Sequence, residues 1–171
     1  MDGTLAAIFL IASLSDMALN DCPSGCLASS DATARLSFQA AKVEFDGVII
    51  ADEAYIGYDF GRAYGPFQPT IGASYSDQGD VWAGVGFKYA IKDIGGTGLF
   101  VESSLMPGVH LAQDGPDIGG TFHFRSALGL GYEFGNGATV LAAYDHRSNA
   151  DTLPLNPGLE TISIRFSIPL N

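Results

Sequence analysis

From Thr121 to Phe134 the side chains sort in steps of two. Phe122, Phe124, Leu128, Leu130, Tyr132 and Phe134 fall on one face of an extended segment, and Thr121, His123, Arg125, Gly129, Gly131 and Glu133 on the other. A period of two specifies a β-strand. One face is apolar and aromatic; the opposite face is small or charged. In a soluble barrel the apolar face would fill the lumen and the polar face would meet water. Here the charged and glycine-rich face has the character of a lumen, and the greasy face that of an outer wall.

The same division recurs. Val81, Ala83, Val85, Phe87, Tyr89 and Ile91 oppose Trp82, Gly84, Gly86 and Lys88. Ala54, Ile56, Tyr58 and Phe60 oppose Tyr55, Gly57, Asp59 and Gly61, and Ile162, Ile164, Phe166 and Ile168 oppose Ser163, Arg165 and Ser167. Weaker runs at 34–45, 66–76, 98–110 and 137–148 bring the count to about eight strands, each of a length that crosses a bilayer at a tilt. Clusters of Gly, Pro, Asp and Asn separate them. The reading is an all-β, eight-stranded antiparallel up-and-down transmembrane β-barrel. A soluble β-sandwich, whose strands also carry one apolar face, is the competing fold. In the first strand the apolar register of Leu36 and Phe38 passes to Val43 and Phe45, as across a bulge. The chain ends Pro169-Leu170-Asn171, without the terminal aromatic residue common in bacterial barrels.

So narrow a barrel is filled by its own side chains. Lys88, Glu102, Arg125, Glu133 and Arg165 are therefore expected as interior ion-pair members, and channel function is not expected. Beyond the N-terminus no stretch reaches the roughly 18 apolar residues of a spanning helix, so insertion must be by strands. The net charge of −11, with eight Lys and Arg in 171 residues, leaves no basic stripe for nucleic acid. Contact with anionic lipid headgroups would need local cations or bridging divalent ions.

Leu5 to Leu14 has the length of a signal-peptide apolar region, with Ser13-Leu14-Ser15 as a small-x-small cleavage site. Met1-Asp2-Gly3 carries no basic residue, which points to a mis-assigned start or a truncated leader; a buried N-terminal helix is the alternative. Residues 1–30 are read as signal peptide and lead-in, and 31–171 as one barrel domain. Cys22 and Cys26 enclose three residues and either close a small disulfide loop in an oxidising compartment or are incidental. Without nearby His they fall short of a zinc site, and Leu19-Asn20-Asp21 is a poor lipoprotein cleavage sequence.

Tyr144-Asp145-His146-Arg147-Ser148-Asn149-Ala150, followed by Asn156-Pro157-Gly158-Leu159-Glu160, holds a base, a nucleophile and an acid. His146 and Ser148, two apart on a strand, share a face, so the imidazole can take the hydroxyl proton. After the turn at 154–158 the chain returns antiparallel and brings Glu160 opposite His146, where a carboxylate would hold the ring's tautomer. Parity continues the Val140, Ala142, Tyr144 face through His146 and Ser148, and the Ile162, Ile164, Phe166 face through Glu160. All three should point outward, toward lipid. By spacing alone, ordinary polar residues at a strand end explain the cluster as well.

The run His146-x-Ser148-Asn149-Ala150, then Asn156-x-Gly158-x-Glu160, resembles the signature of the PagL-type lipid A 3-O-deacylases of Gram-negative outer membranes. That resemblance implies an exported enzyme that hydrolyses the ester-linked hydroxyacyl chain at the 3-position of lipid A. It implies no cofactor and no metal, and lipopolysaccharide and outer-membrane lipids as partners; homodimer formation is left open. It implies Ser148 as nucleophile, His146 as general base and then acid, and Glu160 as orienting acid. Asn149, Ala150 and Asn156 match positions supporting the site, backbone N–H groups just beyond Ser148 are the expected oxyanion donors, and Phe124 matches an aromatic beside the acyl-chain groove. Asp151 stands where the family favours a small residue such as Gly. His110 and His123 are isolated in sequence, with His123 facing inward as a hydrogen-bonded lumen residue. Gly95-Gly96 and Gly119-Gly120 are turns. A non-catalytic outer-membrane barrel with a structural or adhesive role is the alternative function, and a soluble lipid-binding barrel a third.

Overall fold

The protein's structure, a computed structural model, describes residues 3–170. Met1 and Asp2, on which the reading of the leader's first residues partly rests, and Asn171 lie outside the described residues. Eight strands close into an antiparallel barrel: β2 (Arg35–Phe45), β3 (Val48–Asp59), β5 (Gln68–Ser76), β6 (Val81–Ile91), β7 (Leu99–Leu111), β8 (Phe122–Glu133), β9 (Thr139–Ser148) and β10 (Leu159–Pro169), with β10 pairing β2 to shut the wall. β1 (Ser29–Asp31) and β4 (Arg62–Tyr64) form a separate two-stranded ladder. The helix α1 (Thr4–Asp16) continues through a π-helical turn, Met17–Asp21. By length and composition Thr4–Asp21 could cross a membrane, a property it shares with signal sequences at the same place in a chain. Cys22 and Cys26 are joined as a disulfide.

Parity carries the barrel. Along β10 the burial alternates from Leu159 to Ile168, with Ile162, Ile164 and Phe166 about half exposed and Thr161, Ser163, Arg165 and Ser167 buried. Phe38, Ile56, Val85 and Leu130 stand on the same outer wall. Such a wall is stable only against hydrocarbon, and closure leaves no strand edge with unpaired backbone groups.

The lumen is polar and paired. Lys88 Nζ lies 3.0 Å from Asp59 Oδ2 and 3.4 Å from Glu102 Oε1, and Arg165 Nη1 lies 2.7 Å from Glu102 Oε1. Arg35 Nη2 meets Glu133 Oε2 at 3.0 Å. The expected members are all there, each with a partner. Between them lie Tyr55 and fully buried Trp82, with the Arg125 guanidinium 5.3 Å and 5.2 Å from their ring centres. Rings of this size fit because glycine faces them: a Cβ at Gly72 would collide with the Tyr55 ring, and one at Gly84 or Gly108 with Trp82.

Two details depart from expectation. Leu36 and Phe38 do face outward, but Val43 is buried on the inner face before any register shift; the shift against β3 falls between Val43 and Glu44. The apolar residues change sides because the lumen itself turns apolar at this end, where Val43, Ala51, Ile118 and Leu159 pack together as a plug. His110 and His123 are not isolated either. Their rings meet edge to face, 5.5 Å apart, and His123 has one partner, the Ile118 carbonyl at 3.3 Å from Nε2, while its Nδ1 has none among the described residues.

Candidate active site

Strand β9 presents alternating chemistry on its two sides. Inside, Asp145 receives both Nε and Nη2 of Arg125, at 2.9 and 2.8 Å, and Arg147 Nη2 reaches Glu53 Oε2 at 2.8 Å. Glu53 Oε1 also lies 3.0 Å from Arg125 Nη2, so one carboxylate on β3 ties the guanidinium groups of β8 and β9 together. Outside, on the intervening positions, stand His146 and Ser148. The inner ion pairs fix the strand whose outer face carries the candidate chemistry.

The ladder sets the neighbours: Ser126 and Glu160 lie opposite His146 on its two flanking strands, and Phe124 lies opposite Ser148. Glu160 Oε1 is 3.0 Å from His146 Nδ1. The tautomer that donates Nδ1–H to this carboxylate leaves the Nε2 lone pair free. His146 Nε2 is buried and has no partner among the described residues, so Ser148 Oγ is not hydrogen-bonded to it in this structure. Ser148, His146, Phe124, Ser126, Leu105, Ala150, Asp151 and Asn156 line one pocket of about 350 Å³, together with Ala6 of α1 and Gly3 just before it. The pocket opens on the outer wall, as parity requires.

The loop after Ser148 is tied down on both sides. Asn149 is fully buried; its Nδ2 donates to the Gly119 carbonyl at 3.0 Å and the Leu155 carbonyl at 2.7 Å, which locks the 149–158 loop onto the 112–121 loop. Its backbone N–H donates to Asn156 Oδ1 at 3.0 Å, and Asn156 Nδ2 donates to Asp151 Oδ1 at 2.8 Å. Thr152 closes a turn on the Asn149 carbonyl through its N–H at 3.2 Å and its hydroxyl at 2.8 Å. Ala150 and Asp151, the two central residues, have φ of 55° and 57°, the left-handed region that side chains rarely adopt. Neither of their N–H groups has an acceptor among the described residues. Consecutive free N–H groups in a turn are open to an anionic acceptor.

His146, Ser148, Glu160, Asn149, Ala150, Asn156 and Phe124 are thus brought into one neighbourhood, with Asn149 acting through the loops and Phe124 beside the serine. Residues given no role in the sequence reading also matter here. Gly158, at φ 82°, leaves the space that the His146 ring fills, since a Cβ there would stand 2.6 Å from its Cε1. Glu53 and Arg147, 94 residues apart, hold the strand. Gly158 was legible inside the motif; Glu53 carried no local signal.

A family model described as "Lipid A 3-O-deacylase (PagL)" matches residues 53–169. A search of curated proteins by sequence returns no match. Among solved structures, the crystal structure of the outer membrane enzyme PagL aligns with a TM-score of 0.64 at 21% identity, covering 80% of this chain and 99% of that one. A de novo designed transmembrane β-barrel aligns with a TM-score of 0.59 at 13% identity over 82% of this chain and 98% of its own. Neisserial surface protein A (NspA) aligns with a TM-score of 0.55 at 9% identity over 84% and 99%. At these identities the structural likeness speaks for the fold.

Proposed function

Because this chain belongs to the lipid A 3-O-deacylase (PagL) family, we propose that Ser148, His146 and Glu160 form the triad by which it cleaves its substrate's ester. The chain is a lipid A deacylase of the outer membrane; the residue roles and the processing of residues 1–30 as a signal and lead-in segment are our reading. The observation that carries the triad is the His146 ring, held at Nδ1 by Glu160 with Nε2 unpartnered toward the pocket that Ser148 lines.

His146 Nε2 takes the Ser148 proton as Oγ attacks the ester carbonyl carbon, and the developing imidazolium is stabilised by the Glu160 carboxylate. The carbonyl oxygen becomes an oxyanion that receives the N–H groups of Ala150 and Asp151; Asn149, whose backbone and side-chain donors are already engaged, acts by holding the turn. Collapse of the tetrahedral intermediate breaks the ester C–O bond, with the proton on His146 passing to the sugar oxygen. Water, deprotonated by His146, then releases the fatty acid from Ser148. The Ser148–His146 hydrogen bond forms as substrate enters, as is common for catalytic contacts that are loose without it. A membrane lipid suits this site because the pocket opens on the hydrocarbon-facing wall near the end carrying the longer loops, 112–121 and 149–158, which in such barrels faces outward.

Expression in a Gram-negative strain without such an activity, followed by mass analysis of its lipid A, tests the proposal. One hydroxyacyl chain should be lost with the natural chain and retained with Ser148→Ala. Unchanged lipid A, with the barrel heat-modifiable and therefore folded, would sink it.

A further inference from the structure

Resting on the triad reading, we infer that the Asp151 carboxylate is an electrostatic brake on this site: it sets the turnover rate by opposing the negative charge that develops on the ester oxygen. The turn that offers the free N–H groups of Ala150 and Asp151 is built from two non-glycine residues at φ 55° and 57°. Glycine would occupy the second position without strain and without charge. Asp151 instead brings an anion into the pocket that Ser148 and His146 line.

Its hydrogen bonding explains how the turn accommodates a side chain there. Asp151 Oδ1 accepts from Asn156 Nδ2 at 2.8 Å, and Asn156 Oδ1 accepts from the Asn149 N–H at 3.0 Å. This strap returns from the loop's far side to the residue after the nucleophile and holds the left-handed pair in place. No cation shares the work: among the described ion pairs none involves Asp151, and the cations nearest in sequence and register, Arg147 and Arg125, point into the lumen and are paired there. The charge on Asp151 therefore has no compensating cation among the described residues. It stands on the same residue whose N–H is to receive the oxyanion.

Like charges sharing one partly solvated pocket repel enough to slow a step by up to roughly tenfold, and salt screens the effect. The side chain thus helps by shape and hinders by charge, and the two are separable by substitution. Asn at 151 retains an acceptor for Asn156 and removes the charge.

The test uses the refolded barrel in neutral detergent with an uncharged p-nitrophenyl acyl ester, so that headgroup charge plays no part. Asp151→Asn should raise kcat about three- to tenfold with KM little changed. Added salt should raise the wild-type kcat toward that of the variant and leave the variant flat. Asp151→Gly, which also relieves the left-handed strain, should exceed wild type as well. An Asp151→Asn rate at or below wild type in a heat-modifiable barrel, or a salt response that persists in the variant, overturns the brake. Ser148→Ala run alongside separates the two claims: hydrolysis surviving in that variant removes the triad reading, whereas an inactive Ser148→Ala beside an unaccelerated Asp151→Asn removes only the role of Asp151.

Discussion

At Gly158 an added methyl would do two kinds of damage. The backbone there sits at φ 82°, and the new Cβ would press on the His146 Cε1 at 2.6 Å. Displacing the ring by about 1 Å would upset the proposed approach of Ser148, and misplacement on that scale costs about 10²-fold in rate. Gly158→Ala is expected to lower deacylation by roughly that factor while the barrel still folds, as judged by gel migration with and without heating. Asn149→Ala acts differently. It leaves the buried carbonyl of Gly119 without its donor, at about 1–3 kcal/mol, and removes the donor to the part-buried carbonyl of Leu155. Hydrogen exchange in the 112–121 and 149–158 loops should accelerate, with the strands unaffected. At this scale the motif read from sequence names residues that the fold gathers into one neighbourhood. It could not assign Asn149 its job, because the partner Gly119 lies 30 residues away on another loop.

Strands β3, β8 and β9 are fastened by one carboxylate. Glu53 bridges Arg125 and Arg147. Its removal leaves two guanidinium groups facing each other in the lumen, Arg147 then having no ion-pair partner among the described residues. Breaking a buried pair by deleting one member costs about 3–5 kcal/mol. Glu53→Ala should therefore lower the thermal unfolding midpoint in detergent well below that of Glu133→Ala, whose carboxylate is 40% exposed at the other end of the lumen. The strand boundaries were largely legible: 81–91 coincides with β6, and the weak runs at 34–45, 66–76, 98–110 and 137–148 fall within a few residues of β2, β5, β7 and β9. The alternating face reveals them. β3 begins at Val48, six residues before the clear run at Ala54, because Val48 and Ile49 are exposed past the lumen and follow no inside–outside rule there. The β1–β4 ladder, three residues on each side, is too short to alternate visibly.

For the molecule as a whole, the inverted division of polarity is the governing fact. Ile164, in the middle of β10, is 56% exposed on the outer wall. Arg at that position should destabilise insertion by about 2–4 kcal/mol, whereas Leu should be neutral; folding yield into vesicles of a stated lipid measures the difference. A soluble barrel would show the opposite tolerance. The inverted wall could be read from composition along each strand, since it needs only parity. The closing plug of Val43, Ile118 and Leu159 could not, since these residues belong to three separated segments and meet only when the sheet closes. The outer wall also gives the proposed chemistry its setting: with Ser148 as nucleophile on a lipid-facing pocket, the ester attacked is one within the membrane. The most direct test is to quench the refolded enzyme in acid during turnover of lipid A and weigh its peptides. A hydroxyacyl adduct is expected on the peptide that carries Ser148, lost on longer incubation as fatty acid appears. Deacylation that proceeds with no adduct there, and equally well in Ser148→Ala, would contradict the proposed triad.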